Sequence, residues 1–174
     1  MIVQYIIGGI ILLFGFVVFF GAPYVPSQKK YIRRAFDDVY KLSKKDHLVD
    51  IGSGDGVVLR VAAQYGAKAT GYEINPALVG ISRLLSLRYP KVTTKLANAW
   101  TANFPDDTTI VYIFSVRRDG RKITKMMQRE SQRLNRPLKL LCYGNPLHTV
   151  EPDKTFEAYE LYTFRPLQGK KPQV

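Results

Sequence analysis

The chain has 174 residues, 46% hydrophobic and 23% charged, which suits one globular domain and leaves no room for a second enzyme domain. One cysteine, Cys142, excludes an intrachain disulfide and a thiolate metal cluster and reads as a buried apolar residue, while His47 and His148 are too isolated to suggest a metal. The formal net charge of +12 admits nucleic acid, anionic lipid headgroups or an acidic partner, and does not choose among them.

From Ile2 to Ala22 the only strongly polar side chain is Gln4. About 20 apolar residues at 1.5 Å rise each match a hydrocarbon core of about 30 Å, so residues 1–22 are expected to form one transmembrane helix. A cleaved signal peptide would need a basic start, a shorter apolar stretch and a small-residue cleavage site. A soluble helix would need a polar face, which the Ile and Phe side chains of this run do not leave. Lys29, Lys30, Arg33 and Arg34 follow the run and only the α-amino group precedes it, which predicts a single-pass membrane protein with the rest of the chain on the cytoplasmic side. With Lys41, Lys44 and Lys45 these cations make the lipid bilayer an expected partner, each charge worth roughly 1 kcal/mol near anionic headgroups. Part of the net charge is then explained without nucleic acid.

Residues 23–46 read as a linker and an amphipathic helix. Pro23 and Pro26 mark the turn, Ser27 is the expected N-cap, and Ile32, Ala35, Phe36, Val39 and Tyr40 follow one helical stripe. Residues 47–168 then alternate. Strands are expected at His47–Ile51, Lys68–Ile74, Val92–Ala97, Thr109–Phe114, Leu138–Tyr143 and Phe156–Phe164, with helices at Val57–Tyr65, Pro76–Arg88 and Arg121–Leu134. Strands separated by helices predict an α/β fold with a mainly parallel sheet covered by helices on both faces. Residues 169–174 are read as a tail.

Chemistry concentrates at the first strand-to-helix turn, Asp50-Ile51-Gly52-Ser53-Gly54-Asp55-Gly56. Glycines there let a ligand approach the backbone, and the following helix points its N-terminal N–H groups at it. Glu73, at the end of the next strand, stands where it can accept both hydroxyls of a ribose. The spacing is G-x-G-x-G and not the G-x-G-x-x-G of dinucleotide sites, and Asp50 and Asp55 would repel a pyrophosphate. A cationic sulfonium ligand carrying an ammonium group suits these carboxylates.

Asp50 to Glu73 resembles the S-adenosylmethionine-binding core of the Rossmann-like class I methyltransferases. That resemblance implies a glycine loop of Asp50, Gly52, Ser53, Gly54, Asp55 and Gly56 around the methionine part, Glu73 on the ribose, and Asn98 with Ala99 near the adenine. The cofactor it implies is S-adenosylmethionine. Asn98 stands where that class often carries an acid; its amide oxygen can accept from an exocyclic amine. The wider pattern is the apolar run, Tyr24-Val25-Pro26-Ser27, the glycine loop, Gly71-Tyr72-Glu73-Ile74-Asn75-Pro76 and Ser82-Arg83. It is similar to the lysine methyltransferases of the ATP synthase c-subunit and the adenine nucleotide translocase, and to their shorter prokaryotic relatives. The chain departs from them at Asn98 and at Gly144-Asn145-Pro146. The resemblance implies a membrane-anchored enzyme acting on a lysine of a membrane protein.

Methyl transfer from a sulfonium needs placement and water exclusion more than a nucleophilic side chain, so no residue is assigned as a general base. Tyr24, Trp100 and Phe114 are candidate aromatic walls of a substrate cleft. Ser27 and Ser115 are further cleft candidates, Ser115 lying at the carboxyl edge where such sheets bind ligands. Rival readings are methylation of a membrane-partitioned lipid or small molecule, and a non-catalytic cofactor-binding module. Nucleic-acid methylation is disfavoured because Phe114-Ser115-Val116-Arg117-Arg118 stands where amino-methylating nucleic-acid enzymes carry an Asn/Asp-Pro-Pro-aromatic motif. The cations from Arg117 to Lys122 read as a solvated helix start.

Overall fold

The structure, a computed structural model, describes residues 3–5, 7–8, 28–148 and 150–167. Among these residues no helix is long and apolar enough to cross a membrane. The expected span over residues 1–22 falls mostly outside the described residues, as do Tyr24 and Ser27.

Helix α1 (Lys29–Arg34) runs into one wider π-type turn over Ala35–Val39. The expected stripe is the buried one: Ile32, Ala35, Phe36 and Val39 all face the core. Seven strands follow, interleaved with three more helices. They are β1 (His47–Ile51), α2 (Val57–Gln64), β2 (Lys68–Glu73), α3 (Pro76–Leu85), β3 (Val92–Leu96), β4 (Ile110–Ser115), α4 (Gly120–Leu134), β5 (Leu138–Gly144), β6 (Lys154–Phe156) and β7 (Tyr159–Phe164). The sheet order is β3-β2-β1-β4-β5-β7-β6, with β1 to β5 parallel and β7 antiparallel to both β5 and β6. The expected single strand Phe156–Phe164 is instead a hairpin, broken where Glu157 takes a left-handed backbone (φ 53°). No Gly or Asn marks that turn in the sequence, so the break carries no signal there.

The two faces are covered unequally. On one, α1, the π-type turn and α2 pack Ile32, Phe36, Leu59 and Val61 against Leu48 and Ile110, with α3 beside them at the β3 edge. On the other, α4 alone sets Ile123 and Met127 over Val49, Val111, Leu140 and Tyr162. The connection 97–109 contains no helix, and α4 clamps it directly. Arg129 donates to the carbonyls of Trp100 and Ala102 (both 2.9 Å), Arg133 to Phe104 O and Asp106, and Arg136 to Asp106 O and Thr108 O. Glu130, wholly buried, accepts from Phe104 N (3.0 Å) and pairs with Arg129 and Arg133, each at 3.0 Å. Arg129, Arg133 and Arg136 thus brace the fold.

Candidate functional site

Five parallel strands deliver their carboxyl ends to one edge. There β1 ends in Asp50-Ile51, paired in register with Gly71-Tyr72 of β2 and Tyr112-Ile113 of β4. Gly52 and Ser53 donate to Tyr72 O (2.9 and 3.2 Å), which folds the loop back over β2. Gly52, Gly54 and Gly56 all have positive φ (71°, 54°, 79°), and Gly56 is the N-cap of α2. A side chain on Gly52 would meet nothing within 4 Å, so the space outside the loop is open to a ligand. Gly71 works from below: a Cβ there would lie 2.4 Å from Ser53 Oγ and 2.7 Å from Leu59 Cδ1, so only glycine lets the loop and α2 settle on β2.

Glu73 joins the two loops that frame this opening. Its Oε2 accepts from Gly54 N (2.9 Å), and its Oε1 accepts from Ile74 N (2.9 Å) and Asn75 N (2.8 Å). Asn75 Oδ1 in turn caps α3, accepting from Ala77 N (3.0 Å) and Leu78 N (3.4 Å). The Asn-Pro pair after β2 is the sequence signal for that cap. Asp55 is compensated: Arg60 pairs with its carboxylate (3.1 Å) and bonds its carbonyl, and Asp55 Oδ1 accepts from Val57 N (3.2 Å). Asp50 and Glu73 form no ion pair among the described residues. Burial, with Glu73 and then Asp55 as neighbours, pushes the Asp50 carboxyl up to about 8. Asp50, buried without an ion pair among the described residues, and Glu73, held by three backbone N–H groups, stand beside an open glycine loop; this arrangement suits a cationic guest and would repel a pyrophosphate.

After β3, Asn98 is exposed and its Oδ1 accepts from Trp100 N (3.1 Å), so it organises the turn that presents Ala99, itself buried. Trp100 packs on the α4-side core with Lys122 Nζ 4.3 Å above its ring. Phe114 is half-buried at the end of β4, its ring 5.7 Å from that of Tyr143, which stacks 4.7 Å from Tyr159. Tyr143 does not stand out in the sequence; the β4–β5 register, Phe114 opposite Tyr143, is what brings it in. Ser115 is buried, and its carbonyl accepts from Asn145 N and Nδ2 (both 3.2 Å), tying the Gly144-Asn145-Pro146 stretch to the end of β4. His47 is spent on Asp107 (2.7 Å) and Thr70 (2.8 Å), far from the loop at the opposite end of β1.

No protein-family model matches the chain. Among curated proteins it is similar to the ATP synthase C-subunit lysine N-methyltransferase of Homo sapiens, 33% identical over 155 residues that cover 82% of this chain and 63% of that protein. The protein of the same name from Xenopus laevis is 30% identical over 161 residues, covering 86% of this chain and 68% of its own length. The chain therefore spans about two thirds of the length of these relatives. Among solved structures, an RNA methyltransferase from Salinibacter ruber, in complex with S-adenosyl-L-homocysteine, superposes with a TM-score of 0.71 at 22% identity, covering 86% of this chain and 98% of that one. That likeness establishes the α/β methyltransferase fold.

Proposed function

Because the chain belongs to the ATP synthase C-subunit lysine N-methyltransferase family, we propose that it is an S-adenosylmethionine-dependent methyltransferase acting on a lysine ε-amine of a membrane protein. The observation that supports the cofactor is a glycine loop open to ligand at Gly52, with Asp50 buried beside it without an ion pair and Glu73 fixed at its rim. Glu73 offers the ribose an acceptor already fixed by three backbone N–H groups, Asp50 faces the cationic part, and the Asn98–Ala99 turn borders the adenine side.

The cofactor supplies a methyl group already activated on a sulfonium. The protein's share is to align an amine lone pair with it and keep water out. A lysine of pKa about 10.4 must first lose its proton, at a cost of about 4.6 kcal/mol at pH 7. An apolar aromatic wall beside the cationic cofactor would depress the amine's pKa, and Trp100 after β3 and Phe114 near the end of β4, its ring against Tyr143, are the candidates for it. Held by the glycine loop, Asp50 and Glu73, the cofactor would give its methyl to the amine and be left as a neutral thioether. The apolar run from Ile2 to Ala22 anchors the enzyme in the plane of its target, and the cations after it keep the catalytic domain on the cytoplasmic side; the composition of the sequence supports both.

Radiolabelled S-adenosylmethionine incubated with the full chain and membranes from a deletion strain should place label on lysine in a protein fraction, located by peptide mass mapping. Glu73→Ala should weaken cofactor binding at least tenfold, since hydrogen bonds to a charged acceptor are worth about 1.5–3 kcal/mol each. Label in extracted lipid, or wild-type binding by Glu73→Ala, would overturn the reading.

A further inference from the structure

Helix α3 turns its small and polar residues inward. Val79 and Ser82 are buried, as is Ser86 just past the helix end, and Ser82 Oγ shares a hydrogen bond with Thr94 Oγ1 (2.7 Å). The cause is space: a Cβ on Gly56 would lie 2.2 Å from Ser82 Oγ, so loop and helix already touch and nothing larger fits between them. The large apolar side chains are left outside. Ile81 is 44% exposed, Leu84 67% and Leu85 49%, and Leu87 beyond the helix end is 78% exposed. Ile74, one residue after Glu73 and just before the N-cap of α3, is also 44% exposed, at the rim of the site.

A contiguous apolar stripe of this kind marks an interaction surface, and the surrounding charge indicates its partner. From Ile74 to Pro105 the sequence has no acidic residue, while Arg83, Arg88, Lys91 and Lys95 supply positive charge. At the C-terminal end of α3 a cleft opens beside the leucines, lined among others by Arg83, Ser86, Tyr89 and Thr94. Ser86 Oγ is buried there with no hydrogen-bond partner among the described residues.

We propose that the outer face of α3, together with this cleft, docks on an anionic lipid surface. Ile81, Leu84, Leu85 and Leu87 enter the boundary between headgroups and acyl chains, Arg88 and Lys91 meet the lipid charge, and the cleft beside Ser86 takes a headgroup phosphate. A second copy of the chain or an apolar protein partner would also cover leucines, but neither calls for a stretch from Ile74 to Pro105 with four cations and no acid. The contact is separate from the N-terminal run and does not depend on the reaction proposed above. Since exposed Ile74 stands between Glu73 and α3, docking holds the rim of the site at the membrane surface.

The test uses the full chain carrying Leu84→Cys or, as a control at the opposite sheet edge, Thr155→Cys. Each is labelled with a nitrobenzoxadiazole dye under native conditions, where Cys142 is buried. In phosphatidylcholine–phosphatidylglycerol vesicles containing spin-labelled lipid, the dye at position 84 should be quenched several-fold more than at 155. The difference should shrink in pure phosphatidylcholine and vanish for an Ile81→Cys probe placed in a Leu84→Glu, Leu87→Glu chain. Equal quenching at 84 and 155 in the anionic vesicles would overturn the proposal, as would a dimer in lipid-free detergent that already shields position 84.

Discussion

Asp50 is held where the fold gives its charge no partner. Burial, then Glu73 and Asp55, raise its carboxyl from an ordinary 3.8 to about 8. Between these values the folded chain keeps a proton that the unfolded chain releases, so Asp50 costs stability progressively as pH rises from about 4 to 8, and no more above that. Asp50→Asn should therefore be more stable than the wild type at pH 8, by at least roughly 1 kcal/mol or 2–4 °C in Tm, with the gap closing toward pH 4. A cationic ligand reverses the balance, because it favours the ionised carboxylate. Calorimetry in buffers of different ionisation enthalpy should show S-adenosylmethionine binding to release a proton below pH 8, with affinity rising by up to about tenfold per pH unit. Both effects should be absent in Asp50→Asn; an unchanged pH profile in that variant would remove Asp50 from the site. The position of this carboxyl is legible from Asp50-Ile51-Gly52-Ser53-Gly54 alone. That Asp55 is neutralised and Asp50 is not is illegible there, because it turns on Arg60, one turn into α2, reaching back to Asp55.

Among the elements, β1, β4 and β5 are legible as short apolar runs bounded by turn residues and β2 and β3 by their place between helices, and only the strand ends move by a residue or so. What sequence periodicity does not carry is direction. The helix expected over Pro76–Arg88 forms as α3 and ends at Leu85, and its large apolar side chains face outward because Gly56 lies close to Ser82. Charge is equally silent on direction: Arg129 and Arg133 on α4, and Arg136 just beyond its end, hold the connection 97–109, which contains no helix. Glu130 is the keystone of that clamp, wholly buried between two arginines and Phe104 N. Its loss leaves Phe104 N without an acceptor and two solvent-accessible arginines without their partner, so Glu130→Ala should lower stability in urea by about 1–3 kcal/mol. Limited proteolysis should cut the variant near Trp100 faster than the wild type. A wild-type urea midpoint would mean that the connection is held by its apolar contacts, Ala99 and Phe104, and not by the clamp.

At the scale of the whole molecule, the +12 charge divides into parts with different work. Arg129 and Arg133 of α4 brace the fold, Arg83 lies on α3 and Arg88 and Lys91 follow it in the acid-free stretch, and Lys29 and Lys30 stand exposed at the start of the described domain, just after the apolar run. Two modes of membrane attachment then make different predictions for a chain shortened to begin at Ser27. Its core from α1 to β7 is intact, so it should bind S-adenosylmethionine as the full chain does. The full chain should resist carbonate washing of membranes, whereas the shortened chain, left with only the α3 face, should associate with anionic vesicles weakly and leave them as salt screens the attraction. Tethering raises effective concentration without improving intrinsic affinity, so lysine methylation should proceed equally in detergent for both chains. In vesicles carrying the target, the shortened chain should be slower by roughly 100-fold or more. If the full chain washed off with carbonate, or if both chains worked equally fast in vesicles, the apolar run would not be an anchor and the α3 face would be the sole contact with lipid.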